Sequence, residues 1–181
     1  MRFILLVLFF ALNINASNKN MSYIFSTGLN FPVFGDFGDG DSGFKESYGF
    51  NIGVFKNYDD LVSYGFIASQ SSYYKNRKID IKFKIFSFTP SILGWIDNQR
   101  TKYFYFGPGL YHWTQPKTST YSSTSGDEGG FRVGVGFKKE YRKIFYGGCL
   151  EFNHLFNING KNFDLGPSNT LSLLISFYLN P

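Results

Sequence analysis

The sequence predicts an all-β chain, an eight-stranded antiparallel up-and-down transmembrane β-barrel. Three observations predict it. Segments of about ten residues alternate large apolar with small or polar side chains, and a period of two marks a strand. The small parity is mostly Gly, Ser and Asn, which suits the narrow inside of a small closed barrel. Composition agrees: 21% of the 181 residues are aromatic, with 23 Phe and 13 Tyr, and there are 20 Gly. Such usage favours strands over helices.

The segments follow one another from residue 22. The first, 22–31, sets Tyr23, Phe25, Leu29 and Phe31 against Ser26, Gly28 and Asn30. The second, 47–55, sets Tyr48, Phe50, Ile52 and Val54 against Ser47, Gly49, Asn51 and Gly53. In the third, 61–70, Val62, Tyr64, Phe66 and Ala68 oppose Ser63, Gly65 and Ser69. The fourth opens with RKIDIKFKIF (77–86) and runs to about Thr89, with Ile79, Ile81, Phe83 and Ile85 on one face and Asp80, Lys82 and Lys84 on the other. The fifth is KYFYFGPGLYHW, 102–113. The sixth, 130–138, has Phe131, Val133, Val135 and Phe137 against Arg132, Gly134, Gly136 and Lys138. The seventh is 143–155. The eighth, 170–179, has Leu171, Leu173, Ile175, Phe177 and Leu179 against Thr170, Ser172 and Ser176.

The connections alternate in length. Those at 32–46, 71–78, 115–130 and 157–169 are long or intermediate, and those at 57–60 and 139–142 are short. Long loops on one rim and short turns on the other are the habit of membrane barrels. The stretch 90–100 breaks the rhythm: either the fourth strand continues past Pro90 or an irregular segment sits there. Pro108 raises a second difficulty, because proline cannot donate to a ladder and a closed barrel has no edge. A bulge or bend between Gly107 and Gly109 is expected, with an end of strand at Phe106 as the alternative. Tyr23, Tyr48, Tyr103, Tyr111, Trp113 and Tyr146 lie near strand ends, as an interfacial aromatic girdle would.

With the apolar parity towards lipid, the charges at Asp80, Lys82, Lys84, Arg132 and Glu151 fall on the inner parity. Buried charges must pair, and both signs are present. These five residues are therefore the candidate lumen charge network. The alternative is a water-soluble sandwich or exported barrel, with the polar face solvated or the parity reversed around an apolar ligand.

Residues 1–16 have the plan of a secretory signal peptide: Arg2, an apolar core over 3–12, and Ala16 at the end of a cleavage site. The barrel domain is then 17–181. A formal net charge of +5 without a basic cluster gives no argument for nucleic acid. The single cysteine, Cys149, excludes an intrachain disulfide.

GLNFPVFGDF (28–37), FGPGLY (106–111), RVGVGF (132–137), LEFNHLF (150–156) and TLSLLISFYL (170–179) together resemble the small bacterial outer-membrane β-barrel family, the OmpA/OmpX-like eight-stranded superfamily. The resemblance spans nearly all of 17–181 and implies a place in the outer membrane of a Gram-negative-type envelope. It also implies contact with outer-membrane lipid and lipopolysaccharide, insertion by the barrel-assembly machinery, and a monomer. The family usually ends on an aromatic residue, whereas here Leu179, Asn180 and Pro181 trail Tyr178.

Chemistry is scarce. Barrel lipid A deacylases use a His-x-Ser pair, but Phe156 stands two residues beyond His154, and Glu151 has the opposite parity. A catalytic triad needs all three groups within hydrogen-bond reach. No enzyme activity is expected. His112, His154 and Cys149 lack zinc-ligand spacing, and Asp36, Asp39 and Asp41 lack the spacing of an EF-hand, so no metal or cofactor is expected. The expected role is structural or surface-interacting, with the long loops presented at the cell surface. The alternative is a narrow, porin-like channel or a carrier for small apolar molecules.

Overall fold

The computed structural model describes residues 20–33, 43–142, 144–160 and 163–179. The predicted signal peptide and Asp36, Asp39 and Asp41 lie outside these residues.

Eight long strands form the wall: β1 (Met21–Pro32), β2 (Ser47–Asn57), β3 (Val62–Ser71), β4 (Lys82–Trp95), β5 (Lys102–Gln115), β6 (Thr124–Tyr141), β7 (Ile144–Leu155) and β8 (Ser168–Leu179). Each pairs antiparallel with the next in sequence. β1 pairs with β8 from Tyr23–Leu179 to Pro32–Thr170, which closes the barrel. Closure removes the free edges that lipid could not satisfy. The two-residue strands Tyr74–Lys75, Asn159–Gly160 and Phe163–Asp164 lie in connections at the long-loop rim.

The middle of the wall carries the expected parity. Phe88, Ile92, Phe104, Phe106, Leu110, Val135, Phe137, Leu173, Ile175 and Phe177 are exposed outward. Ser26, Asn51, Ser87, Thr89, Arg132, Glu151, Ser172 and Ser176 are buried inward. A continuous apolar outer belt around a polar inside is a membrane-spanning surface.

One alternative left open by the sequence is decided, and two expectations are corrected. First, β4 continues across Pro90 to Trp95. Pro90 pairs with Phe66 of β3, and Pro108 with Phe131 of β6. Between β4 and β5 the ladder stops at Phe88–Leu110 and resumes at Ile92–Phe106. The same number of residues is skipped on each side, so the register is unchanged and there is no bulge. The two prolines face each other across this gap, so their missing donors fall in the same interruption. A Cβ on Gly107 would collide with the Pro90 carbonyl oxygen, so glycine alone is tolerated here.

Second, the end of the low-complexity stretch before residue 130 is strand, because β6 starts at Thr124. Its glycines serve packing. Trp113, Tyr105 and Tyr103 pair directly with Gly126, Gly134 and Gly136. A Cβ on any of these glycines would overlap the opposing ring. The inward aromatics of β5 thus lie over the glycines of β6.

Third, Tyr103, Tyr111 and Trp113 do not form a girdle. They point into the barrel and are almost wholly buried, whereas Tyr48 and Tyr146 are exposed. On β5 the parity 103, 105, 107, 109, 111, 113 carries two rings, then two glycines, then two rings, and turns inward.

Candidate functional site: the filled lumen and the outer rim

The lumen is layered. Its middle is polar and centres on Glu151 of β7, which accepts hydrogen bonds from Asn51 of β2 (3.2 Å), Asn153 of β7 (2.8 Å) and the Tyr105 hydroxyl of β5. Arg132 of β6 lies 3.7 Å from Glu151 through Nε. The same Nε donates to Asn153 at 2.9 Å, and Nη2 donates to Ser69 of β3 (2.6 Å) and Ser87 of β4 (2.7 Å). β2 to β7 are therefore tied together across the lumen. Ser26 of β1 and Ser176 of β8 bond to each other, 2.8 Å apart, at the closing seam. Arg132 and Glu151 are almost fully buried. A buried ion pair persists only when further hydrogen bonds satisfy both partners, and here they do so for most donors and acceptors.

Apolar layers close the lumen above and below. Towards the short-turn rim, Phe55, Ile67, Leu93, Trp95, Tyr103, Cys149, Leu174 and Tyr178 pack together. Tyr103 and Tyr178 share a 2.7 Å hydroxyl–hydroxyl bond, and Trp95 meets Tyr103 edge-on at 5.7 Å. Towards the long-loop rim, Phe44, Tyr74, Ile81, Phe83, Ile85, Tyr111, Trp113, Leu155 and Ile158 form a second cluster. Two cavities beside the polar layer measure about 30 and 20 Å³. Each has room for about one or two water molecules.

Of the five candidate network residues, the structure brings together Arg132 and Glu151. Asp80, Lys82 and Lys84 lie elsewhere. Asp80 is in the outer connection, where its carboxylate accepts from the Ser119 hydroxyl (2.8 Å) and amide (3.2 Å). The Ser119 hydroxyl bond holds the Asp80 pKa below its usual value. Lys82 and Lys84 point outward from β4, and Lys82 Nζ sits 5.6 Å above the Tyr73 ring. The reason is a reversal of polarity along one strand. From Phe86 down, β4 puts Phe88 and Ile92 outside and Ser87, Thr89 and Ser91 inside. Above Phe86, it puts lysines outside and Phe83 and Ile85 inside. That upper part stands clear of the apolar belt, where the outer face meets water and the inner face must form an ordinary core.

Sequence reasoning did not single out Asn51, Ser69, Ser87, Tyr105 or Asn153 as members of the network. Parity placed Asn51 and Ser69 inside, but long-range partners across a lumen leave no local signal. Glu151 and His154 do fall on opposite faces. His154 Nδ1 is 2.7 Å from Asn169 Oδ1, and its ring packs on Phe131 at 5.0 Å. His112 Nδ1 lies 2.7 Å from Asp127 on the outer face. Among the described residues, no group of three or more His, Cys, Asp or Glu is placed to hold a metal.

The fold is shared with solved outer-membrane barrels. The chain is similar to Neisserial surface protein A, at 14% identity over 88% of this chain and 97% of that one, TM-score 0.60. It is also similar to Ail, the attachment invasion locus protein of Yersinia pestis, at 17% identity over 88% and 99%, TM-score 0.53. OprG from Pseudomonas aeruginosa matches at 12% identity over 92% and 99%, TM-score 0.53. At such identities the likeness is one of fold. No family model matches the sequence, and no curated protein matches it. The fold defined is thus the one seen in small eight-stranded outer-membrane barrels.

Proposed function

We propose that this chain is a non-conducting outer-membrane barrel that anchors and displays its long connections at the cell surface, in a structural or adhesive role. The observation that carries this reading is the filled lumen: among the described residues, a hydrogen-bonded polar layer lies between two aromatic-rich layers, with two small cavities of about 30 and 20 Å³ beside it. Outer-membrane lipid, with lipopolysaccharide on the outward side, is the surrounding partner in this reading. The long-loop rim faces outward, as it does in this class of barrel. The solved barrels of the same fold support the location.

The test has two parts. In planar bilayers the refolded chain is expected to give no defined conductance steps; regular steps, or uptake of small apolar solutes into vesicles, would favour the channel or carrier instead. On intact cells, the exposed connection before β6 is probed with the variant Ser122→Cys. It is expected to react with a membrane-impermeant thiol reagent, while Cys149 in the lumen stays silent.

A further inference from the structure

The reversed upper part of the wall carries a feature that the filled lumen does not use. Phe44 bridges Asn76, and the Lys45 amide donates to the Lys75 carbonyl at 2.8 Å. On the other side Lys75 pairs directly with Lys82, next to the inward pair Tyr74–Phe83. Phe44, Tyr74 and Phe83 are buried inside, so alternation puts Lys45, Lys75 and Lys82 together on the outer face. Three lysines therefore stand in one cross-strand row, about 5 Å from strand to strand. Lys84, two residues down β4, extends the row towards Phe86, at the upper margin of the apolar belt.

Among the described residues, no charge neutralises this row: none of the four lysines has a carboxylate within ion-pair distance. Asp80 is the acid whose field Lys82 feels, and it is held by Ser119; Glu46 is exposed beside Lys45. Like charges directly opposite on neighbouring strands are destabilising unless an anion lies between them. Their height selects the anion. The row sits just outside the apolar belt, with the half-exposed Tyr73 ring under Lys82, which is the level of lipid headgroups.

We infer that Lys45, Lys75, Lys82 and Lys84 form a docking site for the phosphorylated headgroup of an anionic outer-leaflet lipid, bound against the outside of the wall. The inference rests on the orientation proposed above, in which this rim faces the outer leaflet. The lipid acyl chains would run down the belt past Phe86 and Phe88 while its phosphates meet the ammonium groups. Such contacts are charge-assisted and specific to the anionic head.

The full chain is refolded into phosphatidylcholine nanodiscs containing a minor fraction of lipid A, and lipid retained per barrel is read by native mass spectrometry. The wild type is expected to retain lipid A. The variant Lys45→Gln/Lys75→Gln/Lys82→Gln/Lys84→Gln is expected to lose at least about tenfold in retention. A control with Lys102→Gln and Lys139→Gln, at the opposite rim, is expected to keep it. Every variant is checked for the gel shift of the folded barrel, and Lys75→Gln/Lys82→Gln replaces the quadruple variant if that one does not fold. Equal retention by wild type and the folded variant would overturn the inference. Tighter lysine-dependent binding of soluble inositol hexakisphosphate than of lipid A would also overturn it, in favour of a free polyanion. Neither result touches the anchoring reading, which fails instead if the wild type forms no folded barrel in lipid or the Ser122→Cys thiol is not reached from outside.

Discussion

The wall between Phe86 and Ile92 of β4 and the wall between Lys82 and Ile85 belong to one strand, but they obey opposite rules. In the lower part the large apolar side chains are outside and the hydroxyls inside. In the upper part Phe83 and Ile85 are buried among Phe44, Tyr74 and Trp113, and the lysines are outside. The backbone and the period are the same; the solvent differs. Lipid rewards an apolar exterior and leaves the inside to be filled by hydrogen-bonded polar groups. Water rewards the reverse. A barrel that rises beyond its membrane therefore carries two cores, and the crossover between them falls within a few residues.

The comparison is most severely tested at the polar layer. Glu151→Leu would leave Arg132 buried without its counter-charge, at an expected cost of about 3–5 kcal/mol. The check is a lowered unfolding midpoint in detergent, read from the gel shift. Arg132→Met combined with Glu151→Leu is expected to recover most of that loss, because a matched apolar pair needs no counter-charge. If the single and double variants unfold alike, the layer is not held by charge.

Phe83→Ala tests the outer core. A cavity of that size costs about 3–5 kcal/mol in a packed interior. Here the loss should stay local: amide exchange is expected to quicken over 74–85 and 113–126 while the membrane-spanning strands stay protected. Exchange that rises uniformly around the barrel would mean that the two cores are one cooperative unit.

The two exteriors can be compared directly with the same substitution. Phe106→Arg, in the middle of the outer belt, is expected to cost about 2–4 kcal/mol in lipid. Tyr73→Arg, outward beside Lys82, is expected to change stability by less than about 0.5 kcal/mol. Equal costs would place both residues in the same solvent and remove the crossover.

The smallest effect lies at the short-turn rim. The Asp97 carboxylate accepts from the Thr101 hydroxyl, the Thr101 amide (2.8 Å) and the Lys102 amide (3.0 Å), and these bonds hold its pKa below the usual 3.8. A depressed carboxylate contributes above its unfolded pKa, and the contribution is lost as pH falls through the folded value. The amides of Thr101 and Lys102 are therefore expected to keep their protection, relative to the intrinsic exchange rate, at about pH 5 and above, and to lose it on acidification below about pH 4. Asp97→Asn should remove that acid-dependent step.

How much of this was legible in the chain follows the range of each interaction. Period-two alternation is local, and it marked the strands of β1, β2, β3 and β8 to within about two residues at each end. Arg132 and Glu151 were visible as charges on an inner parity. RKIDIKFKIF was misleading because alternation says that two faces differ and not which face looks inward. On β4 the answer was present a few residues on, in Ser87, Thr89 and Ser91, which share the parity of Phe83 and Ile85. On β5 the sign was the sharing of one parity by rings and glycines.

Residue order and side-chain period alone were thus enough for an antiparallel closed barrel of eight strands, with an apolar belt and a polar lumen. They could not place the membrane boundary along a strand, since the same alternation serves both solvents. Nor could they pair Arg132 with Ser69 and Ser87, or Tyr105 with Glu151. Those contacts join strands far apart in the chain, and they exist only once closure has set the register of all eight around one narrow interior.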